Sequence, residues 1–175
     1  MTGFSRRRLL CAACALPLAS LVACAQEETA AAAPVDFDAG TACELDGMAL
    51  AEYGGPKAQV HFAGAAAPVF FCDTVEMFAT LLRPEQQRAV RGAFVQDMGK
   101  ADWDKPRGHW FDAKSGFYVV GSRRHGSMGP TIASFAAEPD AQGFAGKWGG
   151  KVLRFAEVRP EMADLGGGSQ HDTKM

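Results

Sequence analysis

The chain has 175 residues, 18 Lys+Arg against 20 Asp+Glu, and a formal net charge of −2. That balance lacks the basic face that nucleic-acid binding requires, so no nucleic-acid partner is expected. Hydrophobic residues make up 47% of the chain, enough for the core of one domain or two small ones.

The N-terminus reads as an export signal. Arg6, Arg7 and Arg8 form a basic start, and an apolar run follows from Leu9 to Ala23. The run is shorter than the ~20 apolar residues of a membrane-spanning helix. It ends in "LVAC", where a lipoprotein signal peptidase would cut before Cys24 and leave that cysteine to carry lipid. Residues 1–23 are therefore expected to be a lipoprotein signal peptide, with Cys24 as the lipidation site. "SRRRLL" also resembles a twin-arginine export signal. Ala25 rather than Asp follows Cys24, which points to the outer membrane. The expected location is a periplasm-facing membrane surface reached through a lipid anchor. Without the three signal arginines the rest of the chain is mildly acidic, which tolerates a metal cation.

Residues 24–42 are Ala-rich, acidic and aperiodic, and read as a flexible tether. One pattern then occurs twice. In residues 43–98, "KAQVHFAG" and "PVFFC" read as strands. "DTVEMFATLLRPEQQRAV" reads as a helix capped by Asp73 or Thr74, and "GAFVQDM" as a closing strand. Residues 99–108 are rich in Gly, Pro and charge and form the connection. In residues 109–160, "HWFDA" and "GFYVVGS" read as strands. After a loop, "EPDAQGFAGKWGG" reads as a helix and "KVLRFAEV" as a strand. Residues 161–175, with Gly166-Gly167-Gly168, read as a flexible tail. The fold class is α+β, two tandem ββαβ units.

No Gly-x-Ser-x-Gly elbow, His-Glu-x-x-His or Cys-x-x-Cys follows the signal. His61, in an alternating strand, reads as structural. Asp73 and Glu76 read as a helix cap and a solvated face. With Cys11 and Cys14 removed and Cys24 lipidated, Cys43 and Cys72 remain as thiols. In an oxidising compartment they can form a disulfide, which is the reading for a purely structural lipoprotein. Cys72 ends an apolar strand, where cysteine is usually inert packing.

The soft residues are more informative. Met77 falls in the helix pattern and reads as core. Met48, Met98, Met128, Met162 and Met175 lie in loops or at element ends. Thioethers grouped with one or two thiols suit Cu(I), whereas hard cations take carboxylates.

Several segments in order carry a resemblance. They are the lipobox, "LDGM" followed seven residues later by "GPKAQVHF", then "FVQDMGKADWDKP", "HWFDAKSGFYVVGS", "HGSMGP" and "DAQGFAGKWGGKVLRF". Together they resemble the NosL family of copper-binding lipoproteins accessory to nitrous oxide reductase. The resemblance implies tandem ββαβ units similar to the organomercurial lyase core. It also implies Cu(I) binding in the periplasm and supply of copper to the copper–sulfide centre of nitrous oxide reductase. The implied partners are nitrous oxide reductase or its ABC-type assembly complex.

Members of that family often carry a cysteine two residues before the methionine that matches Met48, and here Asp46 stands there. The thiolate is then displaced to Cys43 or absent, and Asp46 orients the loop or offsets positive charge. The implied site holds Cu(I) between the units on Cys43, Met48 and Met128, with Met98 or His125 as an auxiliary. The chain is expected to be a carrier, not an enzyme. The competing enzymatic reading, thiol chemistry like that of an organomercurial lyase, would draw on Cys43, Cys72 and Asp46.

Overall fold

The computed structural model describes residues 31–165. The segment read as a signal peptide, the expected lipidation site Cys24, His171 and Met175 lie outside the described residues.

Strand β1 (Ala58–Phe62) is interior to the first sheet, with a strand paired along each edge, and both of its faces are largely covered. Ala58, Val60 and Phe62 alternate into the main hydrophobic cluster. Gln59 and His61 face the other way. There the Gln59 amide accepts from the Val35 N–H at 3.0 Å and donates to the Val35 carbonyl at 2.7 Å. This clamp ties down a segment whose composition read as tether, and Phe37, two residues on, is buried.

Beside β1 lies β2 (Val69–Phe71), and helix α1 (Thr74–Leu81) follows. The sequence pattern carried that helix as far as residue 90. It ends at Leu81, with Leu82 as its C-cap, because Pro84 disfavours the helical conformation at Arg83. Strand β3 (Val90–Gln96) returns to the other edge of β1. Strand β4 (Trp110–Asp112) pairs with β3, Val95 opposite Phe111, so the sheet order is β2-β1-β3-β4. This corrects the reading of "HWFDA", which belongs to the first sheet rather than opening the second.

The second sheet is built on β5 (Phe117–Val120). A short hairpin follows, β6 (His125–Gly126) with β7 (Gly129–Pro130). Strand β8 (Ala133–Phe135) pairs with one edge of β5. Helix α2 (Glu138–Trp148) then leads to β9 (Lys151–Arg154) on the other edge. The order β8-β5-β9 repeats the β2-β1-β3 order of the first sheet. Strand β8 lies in the stretch read as a loop. Its three residues are all buried and show no alternation that a sequence pattern could detect.

One core joins the two units. Phe78 of α1 meets Tyr118 of β5 edge-on at 4.9 Å between ring centroids, and Phe155 after β9 at 5.1 Å. The Ser134 hydroxyl of β8 donates to the Gln96 carbonyl of β3 at 2.7 Å. Ala163, in the stretch read as tail, is buried in the same core. No helix among the described residues is long and apolar enough to cross a membrane.

Candidate metal centre

The junction between β2 and α1 builds the floor of the site. Asp73 caps the helix, its Oδ1 accepting from the Val75 N–H at 3.0 Å. Glu76 completes a capping box by accepting from the Asp73 N–H at 3.3 Å. Glu76 stands one helical turn beyond Cys72, so the two side chains share a face. It is 2% exposed, which corrects its reading as part of a solvated face. Its Oε2 accepts from the thiols of Cys72 at 3.3 Å and of Cys43 at 3.2 Å.

Cys43 arrives on a closed loop. Its N–H donates to the Met48 carbonyl at 2.8 Å, and the Gly47 N–H donates back to the Cys43 carbonyl at 3.0 Å. Asp46 holds the turn by accepting from the Met48 N–H at 2.9 Å. The Glu44 N–H donates to the Phe70 carbonyl at 2.8 Å and lays the loop along β2. One potential ligand atom from each of Cys43, Asp46, Cys72 and Glu76 lies within 4.8 Å of all the others. Three of these residues are buried and Asp46 is exposed, so the cluster opens toward solvent at Asp46. Phe37 and Leu50 pack against both cysteines and keep the other side dry.

Both cysteines are free thiols, so the disulfide of the structural-lipoprotein reading is not formed. The hydrogen bond from the Cys72 thiol holds the Cys43 thiol below its ordinary pKa. The same bond, with burial, pushes Cys72 well above the usual thiol range.

Lys57 is fully buried beneath this cluster. Its ammonium donates to the carbonyls of Gly54 at 2.8 Å and Cys72 at 2.9 Å. Burial lowers its pKa, and the nearby carboxylates, Asp73 first and then Glu76, pull the other way. A buried cation is costly without opposite charge, and here that charge is supplied by the two carboxylates.

The second unit reaches the site through the β6–β7 hairpin. Gly55, at φ 81°, lies so close to it that a Cβ there would sit 2.7 Å from the Gly126 Cα. A Cβ on Gly126 would fall on the Asp73 carboxylate. These two glycines let the hairpin approach until the Ser127 hydroxyl lies 2.9 Å from the Cys72 carbonyl and 3.2 Å from its sulfur. The Thr131 hydroxyl donates to Asp73 Oδ1 at 2.6 Å.

The residues singled out from sequence are placed unequally. Cys43 is central. Met48 closes the Cys43 loop and is half-buried. Met128 follows Ser127 and is 43% exposed. His125 is exposed on the same hairpin, its carbonyl accepting from the Trp103 indole at 3.2 Å. Met98 packs on a different cluster, with Val119, Ala133, Phe135 and Ala141, and not with the cysteines. Sequence reasoning undervalued Cys72, Glu76, Lys57 and Ser127. The signal for the first two was present, a cysteine and a glutamate four residues apart across a helix cap.

Two thiols can hold a soft monovalent ion directly, whereas the carboxylates are hard donors. The NosL family pattern matches residues 34–163. The chain is 41% identical over 145 residues to the copper-binding lipoprotein NosL of Stutzerimonas stutzeri, covering 79% of this chain and 75% of that protein. It is 37% identical over 161 residues to the copper-binding lipoprotein NosL of Achromobacter cycloclastes, covering 90% and 83%. The crystal structure of the copper chaperone NosL from Shewanella denitrificans superposes with a TM-score of 0.71 at 36% identity, covering 75% of this chain and 98% of that one. With the family pattern spanning both units and the β6–β7 hairpin, the chain belongs to the NosL family.

Proposed function

We propose that this chain is a lipid-anchored, periplasm-facing copper chaperone, not an enzyme. It carries Cu(I) to the copper–sulfide centre of nitrous oxide reductase, directly or through an ABC-type assembly complex. The observation that carries the reading is the convergence of two buried thiols, Cys43 and Cys72, on one point beneath an exposed rim. The relatives named as copper-binding lipoproteins and as a copper chaperone support it.

Loading replaces the two thiol protons with Cu(I)–sulfur bonds, and the protons leave to solvent. Thiolate sulfur is the donor that Cu(I) prefers. Met48 and Met128 offer thioethers from the loop and the hairpin, so the ion can step from the thiolates to an acceptor by exchanging one ligand at a time.

The test is an anaerobic Cu(I) titration against a competing chelator. Cys43→Ser and Cys72→Ser are each expected to weaken binding by about 100-fold or more, above the roughly 10- to 100-fold cost of losing a group that only supports a ligand. Met48→Ala and Met128→Ala are expected to cost about tenfold each. Parent-like affinity in all four variants overturns the assignment.

A further inference from the structure

The N-terminal segment crosses the first sheet toward the thiols. A Cβ on Gly92 would lie 2.8 Å from the Ala32 Cβ, so the chain enters beside Gly92, which pairs with His61 near the far end of β1. It passes Gln59 at Val35 and reaches Phe37, which packs with Cys43 and Cys72. The entry end and the thiol end of the sheet are therefore opposite poles. Cys24, the expected lipid carrier, precedes Ala32 by eight residues, a reach of at most about 29 Å of extended chain.

The two poles differ in charge. Residues 82–91, which lead from α1 into β3, contain Arg83, Arg88 and Arg91, all exposed, against Glu85 alone. Glu161 and Asp164 share a groove with Arg83, so Arg88 and Arg91 carry the excess. The Arg88 guanidinium lies 3.8 Å from the centre of the Phe62 ring, and Val90 is 38% exposed. The Ala63 N–H donates to the Ala89 carbonyl at 2.8 Å and joins this stretch to residues 63–68, a turn of Ala, Gly and Pro without charge. At the thiol pole, residues 38–52 contain Asp38, Glu44, Asp46 and Glu52 and no Lys or Arg.

We propose that the entry pole is a second membrane contact, which seats on anionic lipid headgroups and turns the thiol mouth away from the bilayer. The inference rests on the lipid anchor of the proposed function and not on its copper. Arginine pairs with phosphate through two parallel N–H bonds, and the small uncharged turn lets the backbone come close to the surface. The short anchor holds the pole at high effective concentration beside the headgroups, so a few arginines suffice. The same surface repels the acidic pole, so charge alone selects the orientation.

The lipidated full chain is reconstituted on vesicles of phosphatidylcholine, and on vesicles with about one third phosphatidylglycerol. Backbone hydrogen exchange is read by mass spectrometry. Residues 63–68 and 82–91 are expected to exchange at least about fivefold more slowly on the anionic vesicles, and residues 44–52 equally on both. Arg88→Gln with Arg91→Gln should abolish the difference, as should high salt, and the paired Lys substitutions should keep it. Both side chains are exposed, and Gln86 bonds only the backbone of Arg88, so these variants should fold. Equal exchange on the two kinds of vesicle overturns the proposal, as does a difference that survives the Gln pair. A chain that does not float with neutral vesicles defeats the lipid anchor instead. Arginine-dependent flotation with the anionic vesicles would then still support the basic pole, and flotation with neither overturns both.

Discussion

The two ββαβ units share a strand order and differ at the turn from second strand to helix. In the first unit this turn is Cys72-Asp73, with Glu76 one turn on, and the helix carries a reciprocal capping box. In the second it is Ala136-Ala137, and Ala137 makes no side-chain cap. The first helix buries Val75, Met77 and Phe78, whereas α2 buries only Ala141. The first unit is thus the anchor and holds the thiols. The second contributes a surface element, the β6–β7 hairpin, inserted between its first two strands. Repetition supplied a scaffold, and the chemistry depends on what occupies one junction of one copy.

The sharpest way to break this comparison is to truncate an aromatic ring in each helix. Phe78 is fully buried between Tyr118 and Phe155, and Phe78→Ala should cost about 3–5 kcal/mol. Phe144 in α2 is half-buried and stacks on Trp103 at 5.3 Å between centroids. Its loss should cost about 1–2 kcal/mol, mostly the ring contact. Urea unfolding of both variants gives the two values on one scale. Equal losses would show that the helices anchor the fold alike.

Much of this contrast was legible in the sequence, and what was hidden depended on long-range partners. The Asp73 cap and the strand around Val60 follow from local spacing, because neighbours in sequence decide them. The Cys43–Met48 loop was found because its residue types are unusual for a turn. Glu76 was misread because its burial depends on Cys43, 33 residues away. Trp110–Asp112 looked like any short strand, and only pairing with β3 assigns it to the first sheet. Lys57 was passed over because a lysine beside Gly-Pro normally points to solvent. Here the Gly54 and Cys72 carbonyls hold it inside.

A smaller effect should come from making the second junction more like the first. Ala137 is exposed at the N-cap of α2 with extended backbone, φ −119° and ψ 136°, a conformation from which an aspartate can cap. Ala137→Asp should stabilise the protein by about 0.5–1 kcal/mol, the usual worth of such a cap. The gain is read as a higher urea midpoint at unchanged slope. No gain would remove the missing cap from the differences that matter between the units.

The smallest effect concerns the strap that only the first unit carries. His61 shares Gln59 Oε1, at 3.1 Å, with the Val35 N–H, and lies edge-on to Phe94. Burial, and secondarily the positive charge of Arg91, lower its pKa below 6.5. The unfolded chain therefore takes up this proton more readily than the native one. The sign follows: His61 contributes stability above the unfolded pKa, and that contribution is lost as pH falls through the lowered native value. As pH falls from neutral through the unfolded histidine pKa of about 6.5 and on through the lowered native value, the parent should lose more stability than His61→Gln, with the two curves parallel above that range. The central strand of the second unit, Phe117–Val120, has no titrating residue in the histidine range. A parent and variant that lose stability equally on acidification would show that the Gln59 clamp on Val35 is indifferent to the charge of His61.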